Sequence, residues 1–331
     1  MKNYLFATYI SLLLLSISSC DNKIEINAGY KEIPIVYGLI DISEDQHYIR
    51  IEKAFQNSDN TSSSQITQIP DSLYFDTLVV KMFDANNPSN YILLDRYDGK
   101  MFPKDSGTFS SLRNTLYTTT KTLPTTTGTL GLEIYNPKSG KKYTASTPVI
   151  YGGEFKDFGS PFVAMNESKA KVIQYVFSKG NNAFMYDLFV RLYYKEMNAS
   201  DTSITSDKTI DFFFEKGYLT SGFDSYSNNS YKKIAWVDFL RFLKVGLKED
   251  ASKIRRVSNL SFSAYGGSSE LAELLELSKP VIGFVQKNSE YSNISNGALG
   301  IFTSRNYVYK EKALVDSSFY YIAKYAPNFI Y

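Results

Sequence analysis

The sequence predicts a mainly β protein: an N-terminal immunoglobulin-like β-sandwich followed by a mixed, mostly β C-terminal domain with two short helices. Three observations lead there. Apolar and polar residues alternate in short runs separated by turn signals. No helical spacing of any length precedes residue 152. Aromatic residues make up 15% of the chain, with 27 Tyr and 23 Phe, enough for a substantial core with tyrosines to spare for surfaces.

In the first domain, expected over residues 33–151, period-two alternation marks strands at 33–41, 47–55, 77–83, 91–94, 129–135 and 142–146. In 47–55, Ile49, Ile51 and Phe55 fall on one face and Arg50 and Glu52 on the other, as a half-buried strand requires. Leu130, Leu132 and Ile134 repeat the arrangement. The pair Asp98-Gly99 and the stretch 136–140 (NPKSG) supply hairpin turns, because Gly and Asn tolerate positive φ and Pro presets the bend. Many short strands with close turns point to a sandwich. The hydroxyl-rich stretches 56–68 and 118–129 are expected to be exposed loops.

The second domain, expected over 152–331, opens where Gly152-Gly153 and Gly159-Ser160-Pro161 break the strand pattern. Strands are expected at 172–178, 184–194, 209–215, 256–265, 281–285 and 299–309, with a loop at 217–231. Between 236 and 248 the period becomes helical: Trp236, Phe239, Leu240, Leu243 and Leu247 form one stripe, with Asp238, Arg241, Lys244 and Lys248 away from it. Ser268 or Ser269 can cap a second helix running to Leu277, where Glu270 and Glu273 suit the positive N-terminal end and Pro280 follows the stop.

Residues 1–19 have the layout of an export signal: Lys2, then an apolar run of about a dozen residues where a spanning helix needs about 20. Ile17-Ser18-Ser19-Cys20 resembles the bacterial lipobox, in which an aliphatic and two small residues precede the acylated cysteine. Cys20 is the only cysteine, so no disulfide partner exists within the chain, and lipidation accounts for it. The expected mature protein therefore begins at Cys20, carries a polar tether over 20–32, and is held to the bilayer by acyl chains, whose burial contributes about 0.8 kcal/mol per methylene. Removing residues 1–19 takes away Lys2, one of 36 basic side chains set against 34 acidic ones, so the charge is near neutral and nucleic acid is not an expected partner.

Chemistry-bearing patterns are sparse. His47 is the only histidine and stands at the start of a strand, with no G-x-S-x-G elbow to complete a triad. Without a Cys/His cluster, zinc and redox-metal sites lack ligands, and the carboxylates at Asp41, Glu44 and Asp45 or at Asp95 and Asp98 do not follow a calcium-loop pattern. No cofactor, metal or catalytic residue is expected. Tyrosines cluster in three places, and Tyr226 and Tyr231, placed in the 217–231 loop, are the expected surface contacts. The stretches at 71–73 and 76–78, Asp-Ser-Leu and Asp-Thr-Leu, resemble O-glycosylation acceptors at Ser72 and Thr77.

The segment 292–302 (SNISNGALGIF) resembles the closing motif of an uncharacterised Bacteroidota outer-membrane lipoprotein family, a domain of unknown function. The strand pair at 35–40 and 47–51 is similar to that family's opening, and 260–277 fits its strand-then-helix passage. The resemblance implies an outer-membrane lipoprotein often encoded beside TonB-dependent transporters, and it transfers no catalytic residue. The long polar loop after Phe55 departs from that family's pattern. The expected function is a non-enzymatic accessory or binding subunit of an outer-membrane import or surface complex. Its expected partners are the bilayer, through Cys20, and an outer-membrane channel protein, at the cell surface or on the periplasmic face. The alternative is a surface adhesin or structural lipoprotein that contacts glycan or protein.

Overall fold

The computed structural model describes residues 33–54, 73–98, 114–156, 162–165, 172–278 and 291–331. The expected signal peptide, Cys20, the tether, the 56–68 loop, Ser72 and the strand at 281–285 lie outside them. The protein is mainly β, with a large mixed sheet.

Among the described residues of the first half the strands are β1 (Ile33–Asp41), β2 (His47–Ala54), β3 (Val79–Asp84), β4 (Asn87–Asp98), β5 (Thr115–Thr119), β6 (Thr129–Asn136) and β7 (Lys141–Pro148). Their hydrogen-bonded order is β1-β2-β5-β4-β3-β6-β7. The long β4 pairs with β3 through 91–94 and with β5 through 95–98, so one strand belongs to both ends of this series. Val36, Ile49 and Ile51 from β1 and β2 share one core with Val80, Met82, Leu132 and Ile134 from β3 and β6. The alternation that predicts these strands is the alternation that fills this core, because a pleated strand turns successive side chains to opposite faces.

The second half comprises β8 (Glu154–Lys156), β9 (Phe162–Val163), β10 (Val172–Ser178), β11 (Met185–Asn198), β12 (Asp201–Leu219), β13 (Asn229–Ala235), α1 (Trp236–Gly246), β14 (Lys253–Gly267), α2 (Ser269–Leu277), β15 (Leu299–Leu314) and α3 (Asp316–Tyr325). The series β12-β11-β14-β15 continues the large sheet, β9 pairs with β15, and β13-β10-β8 forms a separate small sheet. The inward residues Leu188, Val190 and Leu192 of β11 pack with Phe177, Ile234, Phe239, Leu243 and Ile322 from the small sheet, α1 and α3. One face of this part of the large sheet is thus covered by helices and strands.

The two halves join through β15, which runs parallel to β1 from Ile35↔Leu299 to Asp41↔Arg305. The 292–302 segment makes that junction. Ser295 donates its N–H to the Thr144 carbonyl (2.8 Å) and its Oγ accepts from the Thr144 N–H (2.8 Å). The Asn293 amide group exchanges two bonds with the Phe302 backbone, at 2.7 and 2.9 Å. Ile294, Ala298 and Phe302 complete the core of the first half.

Among the described residues the second half has a third helix, α3, beyond the two expected. Its Phe319, Tyr320, Tyr321 and Tyr325 favour strands in isolation, and no side chain caps its N-terminus, so the sequence carries little helix signal. It forms because Ile322 and Ala326 dock into the second core beside α1. Two further differences concern loops. The stretch 118–129 gives its first residues to β5, and Asn229–Ala235, which overlaps the expected 217–231 loop, is β13 paired to β10.

Candidate functional site

The covered face of the second half has a bare counterpart. On β11 the residues between the core positions, Phe189, Arg191 and Tyr193, point to the opposite side, as do their cross-strand neighbours Phe213 and Asp211 on β12, Tyr265 on β14 and Tyr307 on β15. Phe189 stacks on Tyr265 (5.1 Å, 24°), Tyr265 lies against Tyr307 (5.0 Å), and Tyr307 stacks on Tyr309 (5.5 Å, 18°). Arg191 sits over Phe189 and Tyr307 and donates to both carboxylate oxygens of Asp211 at 2.7 and 2.8 Å. The hydrogen bond to Asp211 drives the Arg191 pKa upward, and burial pushes the Tyr307 hydroxyl up to about 12. Within this ladder Phe189 is fully buried by its neighbours, and Tyr309 at the far end is exposed. The ladder therefore serves as the outer fastening of four strands that no layer covers among the described residues.

The same face continues across β15 to β1, β2 and β5, and there it forms an open groove of 370 Å³. The alternation of β1 sets Tyr37 and Leu39 outward, 47% and 38% exposed, while Val36 and Ile40 fill the core. Tyr48 and Arg50 of β2 and Asn114 and Leu116, at the start of β5, stand beside them. Arg50 donates to the Asn114 side-chain oxygen (3.2 Å). At the other end, Arg305 of β15 bonds Glu44 (2.9 Å) and lies 3.7 Å from Asp41, whose carboxylate is buried and accepts from Ser43 (2.6 and 3.0 Å). His47, at the first position of β2, lines this end and is buried. Burial lowers its pKa, against the opposing pull of Glu44, Asp41 and Asp45, so the ring is neutral at neutral pH.

No protein-family model matches this chain, and no curated protein matches it. The site therefore rests on its own geometry. Its lining sets charged and amide side chains at the ends of an aromatic and aliphatic floor. Among the described residues no group of three His, Cys, Asp or Glu side chains is placed to hold a metal ion, and no helix is long and apolar enough to cross a membrane.

Of the expected site residues, Cys20 lies outside the described chain, as does Ser72, while Thr77 is exposed just before β3. Tyr226 is 97% exposed in the turn 224–228, where its N–H and that of Ser227 donate to Asp224 (3.1 and 2.7 Å). Tyr231 is on β13 rather than in a loop, paired opposite Val176 and half-exposed. The structure puts neither tyrosine in the groove. Alternation places Arg50 on the outer face of its strand but gives no sign that Arg305, more than 250 positions later, stands beside the same strands. The motif at 292–302 is the one signal that could have pointed there, because it precedes and positions Arg305.

Proposed function

We propose that this chain is a lipid-anchored, non-enzymatic binding lipoprotein, an accessory or binding subunit of an outer-membrane import or surface complex, with the groove between β1, β2, β5 and β15 as its ligand site. The observation that carries the reading is the groove itself, a recognition-type lining on a sheet face that nothing covers among the described residues. The lipobox at Ile17-Ser18-Ser19-Cys20 supports the anchor, and the near-neutral charge fits a partner other than nucleic acid. The strand order β1-β2-β5 against β3-β6-β7, linked by the shared β4, supports the immunoglobulin-like reading of residues 33–151.

The test is a mild-detergent pull-down from native outer membrane combined with protease treatment of intact cells. The expected result is a stoichiometric channel protein in the pull-down and cleavage of this chain from outside. Recovery of this chain alone refutes the subunit reading. The second reading, a surface adhesin or structural lipoprotein contacting glycan or protein, draws on the fully displayed Tyr226 ring, and a solitary chain that is cleaved on intact cells favours it.

A further inference from the structure

Arginine stays charged at any physiological pH, so a guanidinium withdrawn from water needs an anion or a full set of acceptors. Partly buried arginines among the described residues follow that rule with one exception. Arg96 pairs with Asp98, Arg191 with Asp211, Arg255 with Glu196, and Arg305 with Glu44. Arg50 alone has no carboxylate within ion-pair distance among the described residues. Among the described residues its side-chain partner is the neutral amide of Asn114, and its Nε–H is buried there without an acceptor. This unmatched cation stands in the groove next to Tyr37 and Leu39, the two most exposed apolar side chains of β1.

We propose that the groove binds a small organic carboxylate, with Arg50 as the anion-binding group and Tyr37, Leu39 and Leu116 as the bed for an apolar or aromatic body. The proposal rests on the reading of this chain as a binding protein and names the ligand class of that same site. The other end of the groove adds no competing cation, since Arg305 is already neutralised by Glu44 and Asp41 and burial keeps His47 uncharged. Asn114 holds the guanidinium in one orientation and leaves terminal N–H donors for a planar oxyanion, the geometry that suits a guanidinium fork. The volume of 370 Å³ lies at the small end of ligand cavities, which run from about 300 to about 1,000 Å³. Charge and size together favour a compact monocarboxylate over a long polymer.

The experiment is calorimetric titration of the purified protein with N-acetyl-L-phenylalanine and with its neutral primary amide, two probes that share a body and differ in the anion. The acid is expected to bind about 10- to 100-fold more tightly than the amide, the range for hydrogen bonds to a charged group. In Arg50→Gln that preference should shrink to less than about 2-fold, and in Tyr37→Ala both affinities should fall together. Equal affinity for acid and amide, a preference that survives Arg50→Gln, or no binding of either at millimolar concentration overturns the proposal. Equal affinity still leaves a groove that binds. Absence of a channel partner in the pull-down strikes the subunit reading and leaves acid selectivity untouched, so the two fail separately.

Discussion

Replacing Gly300 with alanine tests the contact that joins the two halves of the molecule. Gly300 has φ 102°, a backbone conformation open to glycine, and pairs with Val36 across the parallel β1/β15 ladder. A Cβ there would overlap the Val36 carbonyl oxygen and lie within 2.9 Å of that residue's nitrogen and carbonyl carbon. These are backbone atoms in the middle of a sheet and cannot swing aside as the end of a flexible side chain would. Positive φ for a residue with a Cβ costs on the order of 1–3 kcal/mol, and overpacking adds roughly the same again. The expected loss is about 4 kcal/mol, and at roughly 2–4 °C per kcal/mol the melting temperature should fall by about 10 °C. Gly140→Ala supplies the control. Gly140 also has positive φ (68°), but nothing lies within 4 Å of where its Cβ would stand, so the loss there should be only about 1–2 kcal/mol. Thermal unfolding of both variants beside the parent protein, followed by circular dichroism, reads the difference. If Gly300→Ala melts no lower than Gly140→Ala, the close approach of β15 to β1 is wrong, and with it the placement of Arg305 at the groove.

Three other contacts can be tested in the same way. Arg191→Met removes the two bonds to Asp211 and those to the Tyr265 and Tyr307 hydroxyls, leaving the Asp211 carboxylate without this donor; chemical denaturation should show a loss of about 2–3 kcal/mol, with part recovered in Arg191→Met/Asp211→Asn. His47 should titrate below the usual 6.5 in a proton NMR series, where the only histidine gives an unambiguous signal. Because its folded pKa is lowered, the unfolded chain takes up the proton first, so the His47 contribution to stability is present above about pH 6.5 and declines as pH falls below it. A His47 that titrates at or above 6.5 contradicts its burial. Ser268→Ala removes the cap that accepts from the Leu271 N–H (3.3 Å) and the buried bond to Thr303, and should cost about 1–2 kcal/mol by denaturation; no measurable loss would show that α2 does not need this cap.

Elements are legible in the sequence where local pattern and tertiary environment agree. Val172–Ser178 and Ile33–Asp41 end where their alternation ends, and α2 follows Ser268 as its capping chemistry directs. The first part of β12, residues 201–209, is exposed along its length and has no apolar face, so alternation reveals only 209–215, the part whose Phe212 touches α1. Residues 201–208 are strand because β11 pairs with them, a partner that no local pattern announces. The opposite case is α3, whose aromatic residues suggest a strand and whose helix depends on the core it docks into.

Residue identity and a period of two or 3.6 were enough to establish the mainly β class, most strand faces, the amphipathic α1 and the isolation of Cys20 and His47. They also establish that Arg50 faces away from the core. Long-range packing alone settles that β15 lies parallel to β1, that one sheet runs through both halves, and that Arg305, Asn114 and Tyr37 meet at one groove. Hydrogen bonds between strands are made by backbone groups that every residue carries, so partner choice depends on which apolar faces can close a core together. That competition involves the whole chain at once, and the unpaired charge of Arg50 becomes visible only in its outcome.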